Sequence, residues 1–256
     1  ALSFCAAAAV AKTGGVHIFV AEDRDAAAYL LNDFYNLLDE KQVYFFPSSY
    51  KRSVAYGAED AQGVVQRTAA MNAVRGFTKG YLVVCTYPEA LAERVVDAAT
   101  LQRDTIAVKL GDKISIAVLE DALADANFTR VDFVYEPGQY SVRGGIVDVF
   151  SYSESKPYRI DFFGDEVDSI RRFNISSQLS ADKLDRVEIV PNLNAGEAPR
   201  VSFVQFAGSG ATCWFYDADY VLRRVNDLRR KVLADMEEPG RIDGLLTSRN
   251  VLLRDM

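Results

Sequence analysis

Tyr135-Glu-Pro-Gly-Gln-Tyr-Ser-Val-Arg-Gly-Gly-Ile-Val-Asp-Val-Phe150, a polar connection over 151–157, and Tyr158-Arg-Ile-Asp-Phe-Phe-Gly-Asp-Glu-Val-Asp-Ser-Ile-Arg-Arg-Phe-Asn174 read as consecutive short strands joined by turns. Pro137-Gly138 is a turn pair, and Gly144-Gly145 allows a bend or a bulge. Gly164-Asp165 stands between two alternating runs, as in a β-hairpin. From Tyr158 to Phe163 the period is two: Tyr158, Ile160 and Phe162 share one face, and Arg159, Asp161 and Phe163 share the other. The first set can fill a core. The second places a cation and an aromatic ring on the opposite face, with one carboxylate between them.

Outward from that stretch the pattern changes. Toward the N-terminus, apolar runs at Val16–Ala21, Val43–Phe46 and Tyr81–Thr86 alternate with helical spacings over 2–12, 22–38 and 59–74, and Pro88 opens a further helix. Continuous apolar runs between helices are the pattern of a buried parallel sheet. Thr105–Lys109 reads as a strand and 114–126 as a helix before the all-strand region, which runs from Val131 to about Pro191. Beyond a polar linker, Val201–Phe206 and Ala211–Tyr216 are expected as strands, and a long charged helix covers 218–236. The last strand and helix resume the pattern of the first region. The expected fold class is α/β: a discontinuous parallel-sheet domain with an inserted β-rich α+β module.

Composition narrows the function. The chain has 256 residues, 49% hydrophobic and 25% charged, enough for one large domain or two modest ones. The net charge of -7 and pI of about 4.9 argue against nucleic-acid affinity as its main role. Cys5, Cys85 and Cys213 follow no metal spacing and sit in apolar surroundings, so all are expected as buried free thiols in a reducing cytoplasm. With His17 the only histidine, at the start of an apolar strand, neither a histidine metal cluster nor a Ser/His/Asp set is credible. No apolar run is long enough to cross a bilayer. The alanine-rich start lacks a signal peptide's basic region, and Lys12-Thr-Gly-Gly15 reads as a helix end. The absence of an initiating Met and the fresh helix-like start at Thr247-Ser248 lead us to expect a piece of a longer protein.

The wording of the central stretch carries a resemblance. Glu136-Pro-Gly-Gln-Tyr-x-Val-Arg-Gly-Gly-Ile-Val-Asp-Val-Phe150 followed by Tyr158-Arg-Ile-Asp-Phe-Phe-Gly-Asp-Glu-Val-Asp-Ser-Ile-Arg171 resembles the hallmark of the excinuclease subunit UvrB and of the UvrB-like N-terminal region of bacterial transcription-repair coupling factors (Mfd). The flanks match in order of elements and in weaker words such as Phe45-Phe46-Pro47 and Gln66-Arg67. The resemblance implies residues 1–105 as domain 1a, resembling a degenerate P-loop or helicase core, 106–190 as the inserted domain 2 that docks on UvrA, and 191–256 as domain 1b packing back on 1a. It implies Arg143, Arg159 and Phe163 as UvrA-contacting positions, with Arg171 and Arg172 as weaker candidates.

Two departures favour the coupling-factor branch. No Gly-x-x-x-x-Gly-Lys-Ser/Thr occurs. Gly208-Ser-Gly-Ala211 reads as a turn between strands and Gly111-Asp-Lys113 as a helix-entry turn. In the family the P-loop would fall at or just before Ala1, and it is intact in UvrB but degenerate in the coupling factors. UvrB also has a long tyrosine-rich hairpin that grips DNA, whereas Val54–Asp60 passes almost directly into the helix of Gln66-Arg67. Tyr50 and Tyr56 are therefore expected as loop or core aromatics.

The expected function is a bacterial cytoplasmic adaptor that mimics UvrB and brings UvrA, and with it excision repair, to stalled RNA polymerase. It would have no catalytic residue, cofactor or metal of its own. RNA polymerase, DNA and an ATP-driven translocase belong to other parts of the parent, one of which is expected to cover the same face at rest. A UvrB fragment, or an independent nucleotide-binding α/β enzyme, are the alternatives. Asp161 and Asp165-Glu166 are read as solvated or salt-bridged turn acids, and Arg159 as pairing with Asp161 or Glu166 if it has no binding role. Pairs of that exposed kind contribute about 0–1 kcal/mol, so losing either Arg143 or Arg159 is expected to spare the fold.

Overall fold

The computed structural model describes residues 2–49, 60–194 and 198–237. Tyr50, Tyr56 and the segment up to Glu59, and the start at Thr247-Ser248, lie outside the described residues. The chain divides into two compact units: residues 1–98 with 196–256, and residues 99–195.

The first unit opens with α1 (Leu2–Thr13) and β1 (Gly15–Val20). Gly14 joins them at φ +64°, its N–H bonded to the Val10 carbonyl at 3.0 Å. A Cβ there would stand 2.8 Å from the Gly80 carbonyl oxygen, so both the backbone and the space require glycine. The elements α2 (Arg24–Leu37), β2 (Val43–Phe45), α3 (Ala61–Gly76), β3 (Tyr81–Thr86), α4 (Pro88–Ala92) and β4 (Val95–Val96) follow. The Asp23 carboxylate caps α2 by accepting from the Ala26 N–H at 2.8 Å. Helix α5 (Ala98–Asp104) lies at the division between the units.

The chain returns to the first unit with β13 (Arg200–Val201), α7 (Phe203–Ala207), β14 (Thr212–Phe215) and α8 (Ala218–Glu237). β14 completes a four-stranded parallel sheet in the order β14-β1-β3-β2. The α/β reading, with a discontinuous parallel sheet, is what the structure shows. Packing of α1, α2 and α3 on this sheet explains why β1 and β3 are nearly all apolar. His17 sits buried in β1. Its Nδ1 accepts from Trp214 Nε1 at 3.0 Å, and its Nε2 donates to the Gly14 carbonyl at 2.9 Å.

Two expectations change here. Val201–Phe206 is a two-residue strand followed by a helix, not one strand. Ser202 is the reason: its hydroxyl accepts from the Gln205 N–H at 3.1 Å and caps α7. Gly208 therefore ends a helix rather than joining two strands. The helix also puts Phe203 in the core, stacked on Phe46 with centroids 3.8 Å apart. Cys5 is exposed, not buried, because α1 buries only Ala7 and Val10. Cys85 is buried, and Cys213 is half-buried.

The second unit holds β5 (Ile106–Lys109), α6 (Ile116–Asp125), β6 (Thr129–Arg130), β7 (Gln139–Arg143), β8 (Ile146–Val149), β9 (Tyr158–Phe163), β10 (Glu166–Phe173), β11 (Ser180–Leu184) and β12 (Arg186–Ile189). Strands β6 to β11 form a six-stranded sheet in sequence order, antiparallel except between β6 and β7. β5 and β12 pair with each other. One face of the large sheet is closed by a core in which Leu119 and Leu123 of α6, Val108 of β5 and Ile189 of β12 pack with Val147, Ile160 and Ile170. Gly144 at φ +59° and Gly164 at φ +63° lead the two-residue turns of the β7–β8 and β9–β10 hairpins. That is the left-handed position a type II′ turn gives to glycine. These turns set the register within the two hairpins, and together with the β8–β9 pairing that register decides which side chains meet on the sheet's other face.

Candidate functional site: an arginine and phenylalanine face

The outer face of the six-stranded sheet begins with the alternation of β7 to β9. Val142, Val147, Val149, Tyr158 and Ile160 turn toward the core, so Arg143, Asp148 and Arg159 turn away from it. Asp148 lies directly opposite Arg159 across the β8–β9 ladder. Arg159 binds the carboxylate with both prongs of its guanidinium, Nε to Oδ1 at 2.7 Å and Nη2 to Oδ2 at 2.9 Å. Arg143, from the neighbouring hairpin strand, donates Nη2 to Oδ2 of the same carboxylate at 2.5 Å. Asp148 is 2% exposed, Arg159 15% and Arg143 35%. Donating to the Asp148 carboxylate raises the Arg159 guanidinium above its ordinary value, against the opposing effect of burial.

Each arginine has a second support. Arg143 donates to the Asp132 carbonyl at 3.1 Å and lies 4.8 Å over the Phe133 ring. Arg159 donates to Gln178 Oε1 at 3.1 Å and lies 4.3 Å over the Phe173 ring. Beside Arg143 is a cleft of about 400 Å³ lined by Arg130, Val131, Asp132, Phe133 and Val142. Phe163 ends β9 next to the Gly164 turn and is 83% exposed.

Arg143 and Arg159 therefore converge on one carboxylate, while Phe163 stands further along the same face of β9. The exposed-pair expectation for Arg159 is corrected: its partner is the buried Asp148, neither Asp161 nor Glu166. Asp161 accepts instead from Arg171 and from Ser169 Oγ, the latter at 2.5 Å. Arg172 pairs with Glu154 at 3.1 Å. Both weaker candidates are thus engaged by local acids. Asp148, Phe133, Phe173 and Gln178 were missed in the sequence. Asp148 left one signal, a single charge within the apolar run Ile146-Val-Asp-Val149, but its partners depend on strand register. Among the described residues no group of three or more His, Cys, Asp or Glu side chains could hold a metal ion, and no helix is long and apolar enough to cross a membrane.

A family model described as the UvrB interaction domain matches residues 106–194. That span contains β5 to β12 with α6, and so the whole face described above. The match thus spans most of the second unit. Curated proteins similar to the chain include transcription-repair-coupling factors. That of Haemophilus influenzae is 35% identical over 101 residues, 40% of this chain and 9% of the relative. That of Escherichia coli is 34% identical over 113 residues, 44% and 10%. That of Bacillus subtilis is 28% identical over 166 residues, 64% and 14%. The chain thus spans about a tenth of the length of these relatives. The resemblance read from 136–150 and 158–171 stands.

Proposed function

We propose that the chain is the UvrB-like N-terminal region of a transcription-repair coupling factor and that it acts as an adaptor for UvrA. Its six-stranded sheet presents Arg143, Arg159 and Phe163 as UvrB presents the matching positions, so UvrA is captured by mimicry. The carrying observation is the UvrB-interaction-domain match over 106–194, the segment that holds the two buttressed arginines and the exposed Phe163. Arginine and large aromatics are the usual anchors of a protein interface. Residues 1–105, 106–190 and 191–256 take the parts of domains 1a, 2 and 1b. The adaptor has no ATPase activity of its own, and RNA polymerase and DNA are reached through other parts of the parent.

Calorimetry of the chain against purified UvrA tests this reading, with Phe163→Ala alongside and circular dichroism to check folding. Binding that is lost in the folded variant supports the adaptor and its face. A folded parent chain that fails to bind UvrA overturns it.

A further inference from the structure

A buried carboxylate must be compensated, and Asp148 is compensated by two guanidiniums. Ser141 stands across the β7–β8 ladder from Asp148, yet its hydroxyl has no hydrogen-bond partner, which leaves the carboxylate to the arginines. A free arginine side chain is among the most mobile of all, and fixing one on association costs affinity. Here that fixing is done within the unit. The shared carboxylate holds both guanidiniums against the sheet, and the Phe133 and Phe173 rings lie beneath them. Two cations and one buried anion leave a single net positive charge spread over two planar donor groups. Such a pair suits an acidic group from a partner, since a guanidinium can meet a carboxylate with two parallel bonds.

We infer that Asp148 is a positioning residue of the interaction face: it presets Arg143 and Arg159 before the partner arrives, and the partner supplies an acidic group to the preset pair. The inference rests on the UvrA reading above. Asp148 itself is too buried to touch a partner and acts through the arginines.

The test combines two measurements on the described chain. Nitrogen-15 NMR follows the Arg159 Nε–H in the free protein, and calorimetry follows UvrA binding. The expected result for Asp148→Asn is fast exchange of the Arg159 Nε–H and an affinity about tenfold lower. In an Arg143→Ala/Arg159→Ala background the same substitution should cost nothing further, because there is nothing left to position. Parent-like binding by Asp148→Asn overturns the inference, and so does an equal loss in the background without the arginines, since that loss would come through the fold. Should Asp148→Asn fail to fold, Arg159→Lys decides. It keeps the charge but loses the fork, so an affinity about tenfold lower supports preset geometry, and unchanged affinity overturns it. A parent chain with a slowly exchanging Arg159 Nε–H that does not bind UvrA removes the adaptor reading, and this inference with it. That outcome needs no variant, so the two failures are distinguishable.

Discussion

Asp148 and Arg159 face each other across two antiparallel strands, and the guanidinium closes on both carboxylate oxygens, at 2.7 and 2.9 Å. The relationship makes Arg159 structural as well as available for binding. Arg159→Ala leaves Asp148 buried with Arg143 as its remaining arginine. We predict a loss of about 1–3 kcal/mol in folding stability, read as a lower urea midpoint. Arg143 is more exposed, so Arg143→Ala should cost less. Equal, negligible losses for both would show the carboxylate to be solvated.

Phe163 should behave in the opposite way. Its ring is 83% exposed, so Phe163→Ala removes little packing and should move stability by no more than about 0.5 kcal/mol. As an anchor of the proposed UvrA interface it should cost about 2 kcal/mol or more in UvrA affinity. A thermal melt and a binding titration on the same sample separate the two effects.

A second buried pair, Arg67 and Glu93, lies in the first unit. The Glu93 carboxylate accepts from the Ser49 hydroxyl at 2.6 Å and the Ser49 N–H at 3.0 Å, and lies 3.6 Å from Arg67. Arg67 donates to the Pro47 and Ala90 carbonyls at 2.8 and 3.1 Å and lies 3.9 Å over the Phe46 ring. Arg67→Met should destabilise by about 3–5 kcal/mol, since it strands a buried carboxylate. Adding Glu93→Leu should recover only part, because Ser49 then loses its acceptor. Full recovery in chemical denaturation would contradict the assigned role of Ser49.

Thiol chemistry should follow exposure. Cys5 should react with an aromatic disulfide reagent at once, and Cys85 only when the unit opens. Burial raises the Cys85 thiol and the Tyr158 phenol above their ordinary values. Both groups stay protonated in the folded chain at pH values where the unfolded chain ionises them. Their contribution to stability is therefore complete below the unfolded values, about 8.5 for Cys and 10 for Tyr, and is lost as pH rises beyond them. Denaturation midpoints should fall progressively from about pH 8.5 upward. Cys85→Ala should flatten the first part of that fall.

Period and punctuation in the sequence determined much of this protein. Alternation over Tyr158–Phe163 separated Tyr158, Ile160 and Phe162 from Arg159, Asp161 and Phe163, because a strand's side chains can only alternate. Apolar runs bounded by helical spacings marked β1 and β3, because a strand covered on both faces has no polar side to show. The helix at Phe203–Ala207 was legible only through Ser202 and Gln205, a capping signal weaker than the apolar run it interrupts. What only the tertiary structure decided was pairing. Asp148 stands eleven residues before Arg159 and five after Arg143, and no local rule joins the three. They meet because the Gly144-led turn fixes the register of β7 on β8 and the β8–β9 pairing sets Asp148 opposite Arg159, and a slip of one residue would turn Asp148 into the core. The exposure of Cys5 and the partnership of Arg67 with Glu93 were likewise set by which elements pack together, a property of long-range contacts that residue order does not display.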